Sequence, residues 1–317
     1  DTPEFAFSFF GAIKIGAVPV PTNTLLTPSD YEYLLDDSRA RVLIVSEALL
    51  PAIEPIRERL AYLEEVVVVG APTAGARSFA ELVGQASPEL EPVMLNKDDA
   101  CFWLYSSGTT GFPKGAIHLQ HDMIVATDLY AVRTLGLRED DTTFSVAKLF
   151  FAYGLGNGLY FPLRVGATTI LCSDKPTPTR AYEIIDAHRP TLFFSVPTGY
   201  AGMLAIDDAP ERYDTSSVRL CVSAGESLPA VLYERWQARH GTEVLDGIGS
   251  TEILHIFISN RAGRVRAGST GELVPGYEAR IVDEDGIDVP IGEVGDLLIK
   301  GDSTCAAYWN KHEATKQ

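Results

Sequence analysis

The stretch Tyr105-Ser-Ser-Gly-Thr-Thr-Gly-Phe-Pro-Lys-Gly-Ala116 combines five hydroxyl side chains, three glycines and one lysine. It follows the apolar run Ala100-Cys-Phe-Trp-Leu104, which has the length and composition of a buried parallel strand. Glycines allow the backbone to approach a bulky anion and to direct several N–H groups at it. Hydroxyl groups and an ammonium add donors that phosphate oxygens accept. The stretch therefore predicts a polyphosphate-binding loop, against the alternative of a flexible surface turn.

The bulk composition is that of a globular protein. The chain has 317 residues, of which 46% are hydrophobic and 22% charged, and its mean hydropathy is +0.05. A formal net charge of −17 argues against nucleic acid or an anionic membrane as a general partner, although a local site for ATP can still be positive. We find no signal peptide and no run that reaches the ~18 apolar residues of a membrane-spanning helix.

The four cysteines are far apart and form no Cys-x-x-Cys pair, so the sequence indicates neither a disulfide framework nor a zinc site. A reducing cytoplasm is the expected location. The chain opens without Met at Asp1 and stops at Gln317 in what reads as the middle of a helix. We therefore expect it to be a fragment of a longer protein.

Apolar strands alternate with amphipathic helices through most of the chain, which predicts an α/β fold with layered parallel or mixed sheets. Helices are expected over 4–14, from Pro28 with Thr27 or Ser29 as its cap, and over 49–60, 121–135, 179–188 and 228–240. Strands are expected over 17–21, 41–45, 65–69, 100–104, 143–146, 167–172, 191–196, 220–223 and 244–245, with those at 41–45 and 220–223 buried.

The pattern changes after Gly271 to short strands over 272–274, 278–282 and 295–300, with a hairpin turn at Asp283-Glu-Asp-Gly286. We therefore predict an α/β core over 1–270 and a small β-rich subdomain over 271–317. Both would belong to one larger N-terminal domain.

Two later strand ends are polar or rich in glycine, as is typical where ligands bind at the carboxyl edge of a parallel sheet. They are Ser223-Ala-Gly-Glu226 and Asp246-Gly-Ile-Gly-Ser-Thr-Glu252. The alternative for the first is an ordinary strand-to-helix turn, in which Glu226 favours the positive end of the helix dipole.

The polar loop is not a Walker loop, because Pro113 stands where Gly-Lys-Ser/Thr requires its second glycine. Its order, Ser-Ser-Gly-Thr-Thr-Gly-x-Pro-Lys-Gly, instead resembles the phosphate loop of the adenylate-forming superfamily. That superfamily contains acyl- and aryl-CoA ligases, luciferases and the adenylation domains of peptide synthetases. The resemblance implies that a carboxylate attacks the α-phosphorus of ATP to give an acyl-adenylate and pyrophosphate.

The same resemblance assigns the nucleotide and metal residues. Gly249-Ser-Thr-Glu252 is similar to the superfamily's Gly-x-Thr-Glu, so Thr251 would donate to the α-phosphate and Glu252 would hold Mg²⁺. Together with Lys114 these are the expected catalytic residues, and no general base is needed because the attacking carboxylate is already ionised. The implied nucleotide-binding residues are Ser106, Ser107, Gly108, Thr109, Thr110, Gly111, Lys114, Gly225, Glu226, Asp246, Gly247, Ile248 and Thr251. Ile248 departs from the aromatic residue that is frequent at its position.

The acid-binding stretches resemble those of benzoate-CoA ligases. Phe151-Ala-Tyr-Gly-Leu-Gly-Asn157 and His255-Ile256 carry this resemblance, together with the residues around Gly249. The residues expected to line a flat aryl slot are Ala152, Tyr153, Ala224, Gly249, His255 and Ile256. His255 could hydrogen-bond the carboxylate or, if cationic, attract it. The alternatives are a satisfied core histidine for His255 and core packing for Tyr153.

The implied function is the ATP-dependent conversion of benzoate to benzoyl-adenylate and then to benzoyl-CoA, AMP and pyrophosphate. Alternatives are another acid (4-hydroxybenzoate, 2-aminobenzoate, furoate or a medium-chain fatty acid) or a non-catalytic nucleotide-binding module. The joint presence of Lys114, Thr251 and Glu252 counts against the module. Members of the family continue with a ribose-binding aspartate, a hinge and a small lid domain with an essential lysine. We therefore expect this chain to bind ATP and the acid, to adenylate weakly and to transfer nothing to coenzyme A.

Overall fold

The computed structural model describes residues 1–106 and 112–316, which divide into two compact units. The N-terminal unit comprises Pro3–Ile117 and Ala307–Gln317, and the central unit comprises Asp1–Thr2 and His118–Ala306. The sequence-based division at residue 270 stays a prediction. No helix in the described ranges is long and apolar enough to cross a membrane.

The strands, in chain order, are β1 (Val42–Ser46), β2 (Glu65–Val69), β3 (Arg77–Ser78), β4 (Ala100–Ser106), β5 (Lys114–Leu119), β6 (Thr142–Ser145), β7 (Thr168–Ile170), β8 (Leu192–Ser195), β9 (Leu220–Ser223), β10 (Val244–Gly249), β11 (Ile256–Ser259), β12 (Glu272–Leu273), β13 (Glu278–Val282), β14 (Asp296–Lys300) and β15 (Ala307–Tyr308). The α-helices are α1 (Pro3–Lys14), α2 (Pro28–Asp37), α3 (Leu50–Ile53), α4 (Phe79–Gln85), α5 (Asp122–Ala126), α6 (Ala152–Leu155), α7 (Phe161–Val165), α8 (Pro178–His188), α9 (Pro197–Leu204), α10 (Ala209–Arg212), α11 (Ala230–His240) and α12 (His312–Lys316). Short 3₁₀ turns cover Glu47–Leu49 and Arg57–Arg59, and π-helical turns cover Thr127–Val132 and Gly156–Tyr160.

A seven-stranded sheet forms the centre of the central unit, with the order β12-β11-β10-β9-β8-β6-β7. The five strands from β10 to β7 are parallel to their neighbours, while β11 and β12 are antiparallel. Every residue of β8 and β9 is buried, because helices such as α9 and α11 cover the sheet. The α/β class and the buried strand at 220–223 are thus confirmed.

The N-terminal unit contains two small sheets. In the first, β1, β2 and β3 are parallel, and an apolar cluster around Ile53, Ile56 and Val68 packs beside them. In the second, β5 lies between β4 and β15 and is antiparallel to β15. Helix α2 begins with the predicted cap: the Thr27 side chain accepts from the Asp30 N–H, and the Asp30 carboxylate accepts from the Thr27 N–H.

Prolines explain two wrong predictions in this unit. Residues 17–21 form no strand, since Pro19 and Pro21 lack the N–H that a ladder needs. The helix predicted over 49–60 is broken into α3 and two 3₁₀ turns, with Pro55 in the break.

In β1 only Val45 is buried, so the prediction of a buried strand there is also wrong.

Further differences concern elements that the sequence pattern did not reveal. Helices α4 and α9 and strand β5 were not predicted, and the strand predicted over 167–172 is limited to β7. Helix α9 starts at Pro197, whose fixed φ suits the first turn of a helix. The Asp283–Gly286 turn is confirmed, with a hydrogen bond from the Gly286 N–H to the Asp283 carbonyl and a φ of +76° at Gly286.

Candidate active site

The carboxyl ends of β9 and β10 lie side by side, because these strands are parallel and Ser223 is paired with Asp246. The turn after Ser223 and the turn after Gly249 therefore leave the sheet at the same edge. This is the arrangement expected for a ligand site in an open α/β sheet. Of the first turn, Ala224 is buried, whereas Gly225 and Glu226 are exposed. The φ of Gly225 is +91°, a conformation that residues with a side chain rarely adopt.

Strand β10 ends in a register shift between Ile248 and Gly249, which leaves Gly249 opposite Ile256 of β11. A Cβ atom on Gly249 would lie 2.6 Å from the backbone oxygen of His255. A glycine is required here because the two backbones approach too closely for any side chain. Gly247 is buried in the same strand, while Ile248 is 37% exposed at the position predicted to face adenine.

Asp246 is buried, and its side chain accepts a hydrogen bond from the backbone. Its Oδ2 atom accepts a hydrogen bond of 3.2 Å from the N–H of Leu228, just before α11. Burial raises the pKa of Asp246 to about 6, and this hydrogen bond opposes the rise. Its predicted contact with the nucleotide stays a prediction.

The turn that carries Thr251 and Glu252 is held through three consecutive backbone carbonyl groups. The Thr251 oxygen lies 2.8 Å from Nε2 of His118. The Glu252 oxygen accepts from the Cys305 N–H at 2.6 Å, and the Ile253 oxygen accepts from the Ser303 hydroxyl at 2.8 Å. The next residue, Leu254, has a φ of +72°, so the chain is strained at the end of the turn.

Both predicted catalytic side chains on this turn are partly exposed, while the carbonyl groups are used within the protein. Thr251 and Glu252 thus stand on a backbone whose carbonyl groups are held by hydrogen bonds from other parts of the unit. Sequence reasoning assigned roles to Thr251 and Glu252, which stay predictions, and it gave His118 no role. The partners of the turn are 133 positions upstream for His118 and 50 positions downstream for Ser303, so no local signal reveals them.

His255 and Tyr153 form the centre of the predicted aryl slot. Nε2 of His255 lies 3.2 Å from the Tyr153 carbonyl oxygen, and the two rings are 5.6 Å apart. The rings of Tyr130 and Phe161 lie 5.3 and 4.4 Å from the imidazole. Burial among them lowers the pKa of His255 to about 3, against the raising effect of the Tyr153 carbonyl. Of the two possibilities left open for His255, the cationic one is disfavoured, because this pKa keeps the ring neutral at pH 7. A role of His255 in acid binding stays a prediction.

The second possibility, a hydrogen bond from His255 to the carboxylate, needs a ring N–H, and the only one is directed at the Tyr153 carbonyl oxygen. Because Nε2 faces a carbonyl oxygen, it carries the proton, and Nδ1 is left as an acceptor. Nδ1 is buried and has no partner among the described residues. A ligand group that meets Nδ1 must therefore be a donor, such as a hydroxyl, an amino group or water.

The other slot residues occupy neighbouring elements. The Tyr153 hydroxyl donates to the backbone oxygens of Ser195 and Val222, at 3.2 Å each, which ties α6 to β8 and β9. Burial raises the pKa of Tyr153 well above its usual value, so the hydroxyl stays a donor. The structure thus brings together Tyr153, His255, Gly249 and Ile256, with Ala224 at the end of β9; Ala152 begins α6 beside Tyr153.

Gly156, in the stretch that resembles benzoate-CoA ligases, has a packing role. A Cβ atom there would lie 2.5 Å from Cδ2 of His255 and 3.0 Å from the Tyr160 hydroxyl. Only glycine leaves room for the imidazole, so the position of His255 depends on Gly156. Gly156 also begins one of the two π-helical turns, a feature that is frequent at functional sites.

The central part of the polar loop, Ser107, Gly108, Thr109, Thr110 and Gly111, lies outside the described residues. On its two sides, Ser106 ends β4 and Lys114 begins β5. The ammonium of Lys114 lies 4.5 Å from the centre of the Tyr308 ring, a cation–π distance. Contacts of this loop with phosphate stay predictions.

No group of three or more His, Cys, Asp or Glu residues is arranged as a metal site in the described part of the chain. The predicted Mg²⁺ ligand is the single carboxylate of Glu252, which needs no such cluster because phosphate and water supply the remaining oxygens. All four cysteines are unbridged; Cys101, Cys172 and Cys221 are buried and Cys305 is partly exposed.

The fold and the strand-end turns define a layered α/β protein with a candidate ligand site at the carboxyl edge of its sheet. A family model described as AMP-binding enzyme matches residues 1–309. The chain belongs to this family of AMP-binding enzymes, which confirms the predicted superfamily.

Individual relatives extend the comparison. A benzoate–CoA ligase of Thauera aromatica is 52% identical over 316 residues, which are 99% of this chain and 59% of that protein. The structure of an anthranilate CoA ligase, AuaEII, in complex with anthranoyl-AMP has a TM-score of 0.98 and 45% identity; the match covers 100% of this chain and 61% of that one. A benzoate CoA ligase from Burkholderia xenovorans LB400 has a TM-score of 0.93 and 47% identity, with 100% and 62% covered. The chain thus spans about three fifths of these relatives.

Proposed function

We propose that the chain is the nucleotide- and acid-binding part of an AMP-forming aryl-acid–CoA ligase whose preferred acid is benzoate. The observation that carries this proposal is the slot around His255. Its rings and small residues suit a planar aromatic group, and the imidazole of His255 is neutral, so this side chain offers no charge to pair with a charged ring substituent. The similarity to benzoate–CoA ligases supports the same acid.

The first half-reaction follows from the predicted site residues. A carboxylate oxygen of the acid bonds to the α-phosphorus of ATP while the bond to the bridging oxygen breaks, and pyrophosphate leaves with that electron pair. The carboxylate is already ionised at pH 7, so the protein has no proton to remove. Thr251 would donate its hydroxyl to an α-phosphate oxygen, and Lys114 would supply positive charge to the phosphates. Stabilising charge at the phosphorus is the main contribution expected of the protein.

Mg²⁺ fits this site because Glu252, the residue after Thr251, is partly exposed and carries a carboxylate, the kind of ligand that this ion prefers. When bound, the ion would offset the charge of the phosphate oxygens. Glu252 is the residue that would hold it.

The second half-reaction, transfer of the acyl group to the thiol of coenzyme A, is proposed for the whole enzyme. The chain spans 59% of the Thauera aromatica relative, so residues from outside it are expected to take part. We propose the cytoplasm as the location, in keeping with four unbridged cysteines, and small molecules rather than nucleic acid as partners.

A second candidate substrate is a benzoate that carries a small donor, such as 2-aminobenzoate. The buried acceptor Nδ1 of His255 favours it, since an amino or hydroxyl group there would supply the missing hydrogen bond. The likeness to the anthranilate CoA ligase AuaEII points the same way.

Thermal unfolding in the presence of non-hydrolysable adenylate mimics tests the proposal. The ligands are a benzoyl-adenylate mimic, a 2-aminobenzoyl mimic, a dodecanoyl mimic and AMP alone. A ligand that binds only the folded state stabilises it by roughly 2.7 kcal/mol at a hundredfold excess over Kd. We expect the largest shift with the benzoyl mimic. A larger shift with the 2-aminobenzoyl mimic would favour the second candidate, and equal shifts for all four ligands would leave a nucleotide site without an aryl slot.

A further inference from the structure

His118 and Asp122 form a fully buried pair behind the turn that carries Thr251 and Glu252. Both are 0% exposed. Nδ1 of His118 lies 2.8 Å from Oδ2 of Asp122, which also accepts from the Leu119 N–H at 3.0 Å. Asp122 is the first residue of α5, so the start of this helix fixes the carboxylate beside the ring.

The two ring nitrogens of His118 both face oxygen atoms that accept hydrogen bonds. Nδ1 faces the Asp122 carboxyl group and Nε2 faces the Thr251 carbonyl, each at 2.8 Å. A backbone carbonyl oxygen can only accept, so Nε2 donates to the Thr251 oxygen, while Nδ1 is held by its contact with Asp122. Asp122 thereby fixes the ring with its donor directed at the turn.

The turn needs such support because of its own geometry. Its last residue, Leu254, is fully buried and left-handed, a conformation that costs a non-glycine residue of order 1–2 kcal/mol. The carbonyl groups of Thr251, Glu252 and Ile253 are all held by donors from elsewhere in the central unit. Of these donors, His118 is the one bonded to the residue whose hydroxyl is predicted to meet the α-phosphate.

We propose that His118, oriented by Asp122, is a positioning residue that holds Thr251 and Glu252 in the geometry required for Mg²⁺ and phosphate. It acts through the Thr251 carbonyl and touches no ligand, since it has no exposed surface. This inference rests on the proposed function, because only that function assigns Thr251 and Glu252 to ATP. Nothing in the sequence near His118 indicates the role.

Two substitutions at one position separate a positioning role from simple core packing. In His118→Gln the amide nitrogen can take the place of Nε2 and donate to Thr251, whereas His118→Leu fills the space without a donor. The matched control is His240→Leu, which removes a half-buried histidine that bonds Tyr182 and has no contact with the turn. Asp122→Asn is the second variant, for the case in which His118→Leu does not fold.

The first measurement is the ratio of ATP affinity with and without Mg²⁺, by calorimetry. Removing a residue that orients a metal ligand typically weakens binding about 10- to 100-fold. We expect this ratio to fall by that factor in His118→Leu, to be largely kept in His118→Gln and to be unchanged in His240→Leu. Equal ratios in folded His118→Leu and in the unsubstituted chain, or an equal loss in the Leu and Gln variants, would overturn the inference.

The second measurement needs no ligand. Amide hydrogen exchange at Cys305, whose N–H binds the Glu252 carbonyl, reports how firmly the turn is held. We expect faster exchange in His118→Leu and in Asp122→Asn than in His118→Gln. Exchange at Cys305 that is unchanged in both His118→Leu and Asp122→Asn would contradict the positioning role. If the unsubstituted chain binds neither AMP nor any mimic, the proposed function fails instead, and the exchange data still decide whether His118 holds the turn.

Discussion

Nε2 of His255 lies 3.2 Å from the carbonyl oxygen of Tyr153, and this single contact fixes the chemistry of the candidate slot. The contact places the one ring proton on Nε2, while the surrounding rings of Tyr130, Tyr153 and Phe161 exclude water. The imidazole of His255 is therefore a neutral ring with one buried acceptor, Nδ1. Under the proposed function, it would select the acid by shape and by hydrogen bonding rather than by charge.

Stability should fall in acid partly because of His255. Its pKa is about 3 in the folded chain, against about 6.5 when unfolded. Between these values the unfolded state binds more protons, so the free energy of unfolding decreases as the pH falls below about 6.5, by up to about 1.4 kcal/mol per pH unit. Urea unfolding from pH 4 to 7 should show a shallower dependence in His255→Gln. Both chains keep His240, so parallel curves would contradict a buried neutral His255.

The stability of Asp246→Asn, relative to that of the original chain, should increase as the pH rises. Burial raises the pKa of Asp246 to about 6 in the folded chain, against about 3.9 in the unfolded chain. The protonated carboxyl therefore stabilises the fold fully below about pH 3.9, and this stabilisation is lost as the pH rises through about 6. Asparagine keeps an oxygen for the Leu228 N–H and carries no charge. We expect the free energy of unfolding of the variant, relative to that of the original chain, to be higher at pH 8 than at pH 4.5, as measured by urea unfolding. An equal stability difference at both pH values would be evidence against the raised pKa.

Gly249→Ala should disrupt the site. The new methyl group would lie 2.6 Å from the His255 backbone oxygen, so β10 and β11 must separate. We expect the free energy of unfolding to fall by about 1–3 kcal/mol and the benzoyl-adenylate mimic to bind more weakly. The control is Gly84→Ala in α4, where the added Cβ meets nothing within 4 Å and alanine favours the helix. Comparable stability of the two variants would refute the proposed crowding.

Glu252→Gln should separate nucleotide binding from metal dependence. The amide keeps the shape of the side chain and removes the charge that Mg²⁺ requires. We expect AMP affinity to be kept and the gain in ATP affinity on adding Mg²⁺ to disappear, as measured by calorimetry. Glu284→Gln, in the exposed turn at 283–286, is the matched control and should behave like the original chain. An undiminished Mg²⁺ effect in Glu252→Gln would mean that another residue is the ligand.

Much of the fold was predictable because it depends on local pattern. The run at 220–223 is apolar without interruption and became a strand buried on both faces, and Thr27 capped α2 as its neighbours indicated. Predictions failed where proline outweighed hydrophobicity, as at Pro19, or where a short helix such as α9 has no clear periodicity. The membership of the AMP-binding family followed from the motifs and is confirmed, while the benzoate preference stays a proposal.

The candidate site was predictable as a set of residues but not as chemistry. The motifs named Tyr153, His255, Gly249 and Glu252, since their order along the chain is enough to recognise them. The charge of His255 stayed open at the level of the sequence, because a pKa depends on what surrounds the ring. The order of residues does not reveal those surroundings.

The amino-acid sequence alone determined the α/β class, the positions of several strands along the chain and the family, because periodicity and contiguous motifs are local properties. Only the tertiary structure decided that His255 is neutral, that Asp246 accepts from the Leu228 N–H just before α11, and that His118 holds the Thr251 turn. Each of these depends on burial or on a hydrogen bond between residues far apart in the chain. Desolvation and hydrogen bonding act over a few ångströms in space, so they exist only once the chain has folded.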